Sequence, residues 1–458
     1  MAPQFGTDGI RGLANDELTP EVALALGRAA AEVMGFTSIA VGRDPRRSGP
    51  MLEAALAAGL AGAGAEVLLL GVVPTPAVAW VAANASRVGL GPDAPAGAMI
   101  SASHNPFADN GIKLFAPGGL KLGDDVEGAI QARLHGLLAD PGGAGSPQPV
   151  VGAAVGSIAP ARPAPVDGWL EAVTASAGEA RFDGLGIVLD CANGAAHRVG
   201  PEAFRRLGAE VTVIGDRPDG LNINDGVGST APDGLARAVV EHGADVGLAF
   251  DGDADRLIAV DASGSVVDGD RVIAVLALDW NDRGRLRNRA VAVTVMSNLG
   301  FRRAMREAGI DVIITPVGDR AVLQALDERG ASLGGEQSGH VICRDLATTG
   351  DGILTGVQLV TAMVHTGRSL ADLAGDVMTT VPQVLRNVSL PRRDPEIVHR
   401  LAPMVAEVEQ WLADDGRVLV RASGTEPMLR IMVEHTDPDT AIDACDRLVA
   451  EAAALVGE

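Results

Sequence analysis

A chain of 458 residues is too long for one hydrophobic core and implies two to four domains. Hydrophobic residues make up 47% and charged residues 21%, the balance of a globular protein, and no apolar run is long enough to span a bilayer. The net charge of −22 argues against a nucleic-acid or anionic-membrane partner, and it requires any phosphate site to be a local gathering of arginine and lysine.

The opening Met1 to Asp8 has neither the basic start nor the apolar run of a signal peptide. Cys191, Cys343 and Cys445 are odd in number and scattered, which supports neither a disulfide framework nor a zinc cluster. A cytoplasmic location is expected. Thr19-Pro20 reads as a helix cap with proline at the first helical position, and Val22, Leu24, Ala25 and Leu26 continue a helix over 20–34. A strand at 38–41, a helix from 49 and an apolar strand at 66–73, ending in Pro74-Thr75-Pro76, suggest parallel α/β units. Residues 139–165, rich in Pro, Gly, Ala and Ser, read as a surface segment leading to a linker. A second series follows: strand 186–190, helix 201–207, strand 210–214, helix 231–241 and strand 245–250. A third, with strands near 291–295 and 311–314, runs from 268 to 380. After Val381 the order becomes strand, helix 394–412, strands 417–421 and 428–434, and helix 440–455. The expected fold class is α/β: three related α/β domains at 1–160, 161–262 and 263–380, and a small C-terminal α+β domain at 381–458.

Four segments carry chemistry. In Asp251-Gly252-Asp253-Ala254-Asp255-Arg256, three carboxylates alternate at the carboxyl end of a strand, where α/β sheets place ligands. Such carboxylates repel by roughly 4 kcal/mol per close pair at an effective dielectric of about 20, and a divalent cation relieves that. Oxygen donors suit Mg²⁺, which keeps positions open for a phosphate oxygen. An EF-hand is excluded, because Arg256 stands where its Gly is required and Ala262 where its Glu is required. A solvated acidic turn is the bland alternative, and the apolar strand feeding the run speaks against it.

The second segment is Ser101-Ala102-Ser103-His104-Asn105-Pro106 with Asn110-Gly111-Ile112-Lys113, placed after the apolar Ala98-Met99-Ile100. A serine is a weak nucleophile unless it is activated or already carries the group being transferred. As phosphoserine it holds about −1.5 to −2 charges and needs a cation nearby. Alone, this run would be an ordinary turn. Lys113 stands out because the chain has only two lysines, 113 and 121, and arginine elsewhere. Arginine cannot give up a proton, so a retained lysine points to proton transfer. The third segment, Gly334 to His340, offers the carboxylate, amide and hydroxyl that bind sugar hydroxyls, with an imidazole able to exchange protons near neutral pH. The fourth, Arg421-Ala422-Ser423-Gly424-Thr425-Glu426-Pro427 with Arg430, is a phosphate cradle of hydroxyls, glycine and arginines. Further cationic candidates are Arg11, Arg43, Arg256 and Arg320.

Together and in this order, the four segments resemble the α-D-phosphohexomutase family over essentially the whole chain. The resemblance implies four domains around a central active-site cleft, each giving one loop. Ser103 then corresponds to the phosphoserine whose phosphorylation activates the enzyme. Asp251, Asp253 and Asp255, with Ser103, correspond to the ligands of one Mg²⁺. Arg256, Glu336, Gln337 and Ser338 would bind the sugar, and Arg421, Ser423, Gly424, Thr425 and Arg430 the distal phosphate. Lys113, with His340, Arg11 and His104, would handle protons.

The opening Phe5 to Gly12, the run Leu221 to Thr230, Gln337 and Thr348 to Gly352 resemble the bacterial branch acting on glucosamine phosphates. Glucose and mannose branches more often carry Met at the Gln337 position. Departures are Ala422, where Pro is usual, and Ser101, where Thr is usual; they bear on fine geometry. The implied activity is the interconversion of glucosamine 6-phosphate and glucosamine 1-phosphate through a 1,6-bisphosphate, feeding UDP-N-acetylglucosamine and cell-wall precursors. A small hexose phosphate is the expected partner, with no nucleic acid and no membrane, for a monomer or homodimer. A phosphoglucomutase/phosphomannomutase is the rival within the family. A non-catalytic sugar-phosphate-binding protein is the rival outside it, and Ser103 with three intact aspartates opposes that reading.

Overall fold

The computed structural model describes residues 4–6, 9–84, 95–140, 150–161, 164–394, 396–422 and 427–457. They form two compact units, Met1–Thr294 with Ile313–Gly375, and Val295–Val312 with Asp376–Glu458.

The first unit is built on mixed sheets. Its seven-stranded sheet runs Phe5–Gly6, Gly9–Leu13, Asp109–Phe115, Ala96–Ile100, Ser38–Arg43, Glu66–Val72, Ile158–Pro160. Ala96–Ile100, Ser38–Arg43 and Glu66–Val72 are parallel, as expected for strands joined by helices, whereas Asp109–Phe115 returns antiparallel to Ala96–Ile100. A five-stranded sheet repeats the plan: Glu210–Ile214, Gly186–Asp190 and Val246–Phe250 are parallel, and Leu257–Asp261 turns back antiparallel. The four-stranded sheet does so again, with Leu333–Gly335 parallel to Ala290–Thr294 and Val341–Cys343 antiparallel to Leu333–Gly335. In each sheet the last parallel strand and the returning strand make a hairpin, and each hairpin loop holds one chemical motif.

The helix Pro20–Met34 begins where its cap was expected, with the Val22 N–H donating to Thr19 Oγ1 at 3.4 Å. Three expectations need correction. Pro74-Thr75-Pro76 does more than end a strand, because Thr75–Ala83 is a helix, with proline inside its first turn where no N–H is needed. The supposed linker contributes Ile158–Pro160 as an edge strand parallel to Glu66–Val72. Proline survives at such an edge because its missing donor faces away from the sheet, and the three exposed residues carry no alternating pattern to read. The helix placed at 201–207 is Ala196–Arg206, with Pro201 inside it. One internal hydrogen bond is given up so that the helix starts directly after the strand-end turn.

Asp351 caps the helix Gly352–Thr366: the Leu354 N–H donates to Oδ1 at 2.9 Å and Trp169 Nε1–H to Oδ2 at 3.1 Å. Burial pushes this carboxyl up to about 6. The unfolded chain releases the proton near pH 4 and the folded one near 6, so this group's stabilising contribution is full below about 4 and lost as pH rises to about 6. The stability of the native sequence relative to Asp351→Asn, read by urea unfolding, is expected to fall by about 1 kcal/mol between about pH 5 and pH 7.5. A difference that does not move contradicts the raised pKa.

The second unit is an antiparallel sheet ordered Gln383–Ser389, Met428–His435, Gly416–Ala422. Leu401 and Val408 of Ile397–Leu412 and Cys445 and Leu448 of Pro438–Gly457 pack with Ile431 and Val433 in its core. Arg417 ties the segment 295–298 into this unit, donating to Val295 O at 2.7 Å, Ser297 O at 2.8 Å and the buried Glu434 Oε2 at 2.5 Å. This is the expected α+β layout.

Candidate functional site

Ser103 sits in the loop between the buried strand Ala96–Ile100 and its returning partner and is 1% exposed. Its φ of 53° is left-handed, a region that residues with a Cβ seldom occupy and that marks functional loops. Ser103 Oγ donates to Asp251 Oδ2 at 2.5 Å and lies 3.3 Å from His104 Nδ1. Burial, then the nearby Arg256 and Arg11, lower the His104 pKa to about 4, so the ring is neutral at physiological pH.

The fully buried strand Val246–Phe250 delivers Asp251, Asp253 and Asp255, of which none is more than 5% exposed. One oxygen from each lies within 4.8 Å of the others. Gly252 is required by close approach, since a Cβ there would lie 2.6 Å from Ser103 O. The carboxylates are pushed apart electrically. Burial, with Asp255 and Asp253 adding to it, holds Asp251 well above the usual carboxylate range. Burial acts the same way on Asp255, but Lys113 and His340 outweigh it and bring Asp255 well below that range. Lys113, 4% exposed, donates from Nζ to Oδ2 of Asp253 at 3.0 Å and of Asp255 at 3.1 Å. Thr75 Oγ1 also donates to Asp253 Oδ2, at 2.6 Å, while the buried Oδ1 of Asp253 accepts no hydrogen bond. Three convergent hard oxygen donors with an unmet buried carboxylate oxygen fit a divalent cation such as Mg²⁺.

A cavity of about 140 Å³ brings together Arg11, Ser103, Lys113, Asp255, Arg256, Glu336 and His340. His340 is buried, with Nδ1 3.7 Å from Asp255 Oδ1 and Nε2 3.6 Å from Asp319 Oδ2. Burial works against its charge, yet Asp255 and then Asp319 raise its pKa above the usual value. Gln337 turns away, donating from Nε2 to Asp268 Oδ2 at 3.3 Å, and Ser338 is exposed beside Glu336. Two cationic candidates are otherwise engaged: Arg43 pairs with Glu53 at 3.2 Å, and Arg320 is held by Asp124 and Glu127. In the second unit, Arg421 and Arg430 stand directly opposite one another on adjacent strands. Ser423, Gly424 and Thr425 lie outside the described residues.

Sequence reasoning passed over Thr75, Asp319 and Asn224 as single residues, and Arg46 and Asp44 altogether. Thr75 hid between two prolines, and Asp319 was overshadowed by Arg320. Asn224 lay inside a longer run quoted for its resemblance.

Four models of the phosphoglucomutase/phosphomannomutase domains match the chain: alpha/beta/alpha domain I at residues 2–138, domain II at 167–264, domain III at 268–381 and the C-terminal domain at 385–452. A phosphoglucosamine mutase of Nocardia farcinica is 52% identical, over 100% of this chain and 99% of its own. One of Saccharopolyspora erythraea is 53% identical over 99% and 100%. A phosphoglucomutase/phosphomannomutase family protein of Burkholderia thailandensis, known by crystal structure, superposes with a TM-score of 0.82 at 27% identity, covering 99% of this chain and 98% of that one. The chain belongs to the α-D-phosphohexomutases, the phosphoglucomutase/phosphomannomutase family, in which phosphoglucosamine mutases are its half-identical relatives.

Proposed function

We propose that this isomerase interconverts glucosamine 6-phosphate and glucosamine 1-phosphate, with Ser103 as phosphate carrier and Asp251, Asp253 and Asp255 as ligands of one Mg²⁺. The observation that carries the proposal is the single cavity in which Ser103 meets Lys113, Asp255, Arg11, Arg256, Glu336 and His340. The amino-sugar substrate rests on relatives of 52% and 53% identity named phosphoglucosamine mutase.

The phosphate on Ser103 passes to the free C1 hydroxyl of glucosamine 6-phosphate. The P–O bond to Ser103 breaks as a P–O bond to the sugar forms, and the sugar hydroxyl loses its proton. The 1,6-bisphosphate turns around, Ser103 Oγ takes the 6-phosphate, and glucosamine 1-phosphate leaves. In this reading Lys113 and His340, which line the cavity with Ser103, take the proton from the attacking hydroxyl and return one to the oxygen that leaves, and Arg11 and Arg256 balance phosphate charge. Bound Mg²⁺ supplies positive charge against the oxygens of the transferring phosphoryl group. The buried free thiols Cys191, Cys343 and Cys445 accord with a reducing compartment, the cytoplasm, and among the described residues no helix is long and apolar enough to cross a membrane.

We assign the distal phosphate to Arg421 and Arg430. Directly opposed positions on adjacent strands put the two arginines on the same face of the sheet, where both guanidinium groups can donate to one phosphate. Arg421→Ala is expected to raise KM for glucosamine 6-phosphate by about tenfold or more with a smaller change in kcat, and an unchanged KM sinks the assignment. The overall proposal is tested by kcat/KM with Mg²⁺ for glucosamine 6-phosphate, glucose 1-phosphate and mannose 1-phosphate. A clear preference for the amino sugar is expected. Preference for a neutral sugar keeps the chemistry and overturns the substrate, and no turnover of any overturns the enzyme.

A further inference from the structure

The loop that carries Ser103 is held from behind by an arginine that touches neither the cavity nor the acidic loop's carboxylates. Arg46 is 0% exposed, and all five of its guanidinium N–H groups are used. Nε donates to Asp44 Oδ2 at 2.8 Å. Nη2 donates to Ser103 O at 2.9 Å and Asn105 O at 2.8 Å, and Nη1 to Asp109 O at 3.0 Å and to Pro106 O. Asp44, also 0% exposed, accepts from Ser101 Oγ at 2.7 Å, and Ser101 Oγ accepts the Ser103 N–H at 2.9 Å. From the other side, Asn224 Nδ2 donates to Ser103 O at 2.8 Å and Asn105 O at 3.0 Å. Both backbone polar groups of Ser103 are therefore fastened by side chains rather than by a strand or helix.

The conformation so fastened is one that serine does not choose. A left-handed φ brings Cβ against the following carbonyl, and such residues persist only where the surroundings over-determine them. A phosphate carrier makes the demand sharper. Its Oγ must lose and regain a phosphate in every turnover, and a loop free to relax in the dephosphorylated state would have to be re-formed before each return step.

Resting on the assignment of Ser103 as carrier, we propose that Arg46, Asp44 and Ser101 are positioning residues that preset the Ser103 backbone for phosphate transfer. They act on the transfer step and leave substrate and metal binding alone. Arginine is required at 46 because an ammonium offers three donors where five are used. Ser101 is the link best suited to a test, being small and joined to both Asp44 and the Ser103 N–H.

The experiment compares the full chain with Ser101→Ala, Ser101→Thr and Ser103→Ala. Steady-state kcat and KM are read for glucosamine 6-phosphate, Mn²⁺ affinity by calorimetry, and phosphate loading of Ser103 from glucose 1,6-bisphosphate by intact mass. Ser101→Ala is expected to lower kcat and the loading rate together by about tenfold, the cost of one unmet buried hydrogen bond. KM and Mn²⁺ affinity should stay within about twofold, and Ser101→Thr, which keeps the hydroxyl, should restore most of the loss. An alanine variant that keeps kcat and loading rate overturns the proposal, and so does a loss shared equally by the threonine variant. Ser103→Ala separates the two readings: if it turns over, the carrier assignment falls, whereas a dead Ser103→Ala beside an unaffected Ser101→Ala removes only the positioning unit. Arg46→Lys adds a second arm, expected to lose kcat with KM kept.

Discussion

Ser103→Ala is expected to lower kcat by roughly 10⁴-fold or more, the scale on which removal of a covalent nucleophile acts. Only one oxygen is removed, and the methyl that remains occupies the space of the serine Cβ, so the loop retains its left-handed turn. Asp251 Oδ2 loses the donor 2.5 Å away, which costs about 1–2 kcal/mol of stability and leaves the protein folded. Intact mass after incubation with a hexose 1,6-bisphosphate gives an independent reading: the native chain takes up phosphate and the variant does not. Turnover within about tenfold of the native chain would mean that phosphate passes by another route, since no general base or binding contact alone replaces a missing carrier.

Asp251→Asn should change two properties in opposite directions. Without metal, the three buried carboxylates face Lys113 as their closest ammonium, and burial with mutual repulsion holds Asp251 well above the usual carboxylate range. At neutral pH the native carboxyl must either carry its charge against that repulsion or hold a proton that the unfolded chain releases; asparagine does neither and still accepts the Ser103 hydroxyl. The metal-free variant is therefore expected to be more stable than metal-free native protein by about 2 kcal/mol, part of the roughly 4 kcal/mol that one close pair contributes at an effective dielectric of about 20. Activity goes the other way, falling by about 10³-fold with the loss of a ligand. Thermal unfolding in chelator and in Mg²⁺ checks both: the native chain should gain stability with the ion, and the variant should start higher and gain little. A metal-free variant that melts below the native chain, or a native chain indifferent to Mg²⁺, contradicts the metal site.

The acidic run was legible because charge density cannot be hidden: three aspartates at alternate positions after an apolar strand crowd like charges that a cation reconciles. Lys113 was legible for a compositional reason, its rarity in an arginine-rich chain. Arg46 and Asp44 were illegible because their work is done through backbone carbonyls supplied by Ser103, Asn105, Pro106 and Asp109, and a carbonyl leaves no trace in the sequence. Thr75 reaches Asp253 across 178 positions, a pairing that no local pattern encodes. Arg320 misled for the converse reason, since its charge was visible and its partners Asp124 and Glu127 were distant. The three related α/β domains were legible in the alternation of strand and helix patterns. The returning hairpin they share was not, because it lives in strand direction, while the residues that fill those positions differ from one sheet to the next.

That plan bears on how such a protein changes over time. A loop at the end of a hairpin is anchored by two strands that lie in a packed sheet, as Ser103, Asp251 and Glu336 are here. The anchors are set by apolar packing and the loop by its chemistry, so the two can be rewritten separately. On the proposed assignments, a descendant could acquire a taste for a different hexose through a few substitutions between Leu333–Gly335 and Val341–Cys343, leaving its carrier and its cation loop as they were. Catalysis and preference would then be kept in separate drawers of one cabinet.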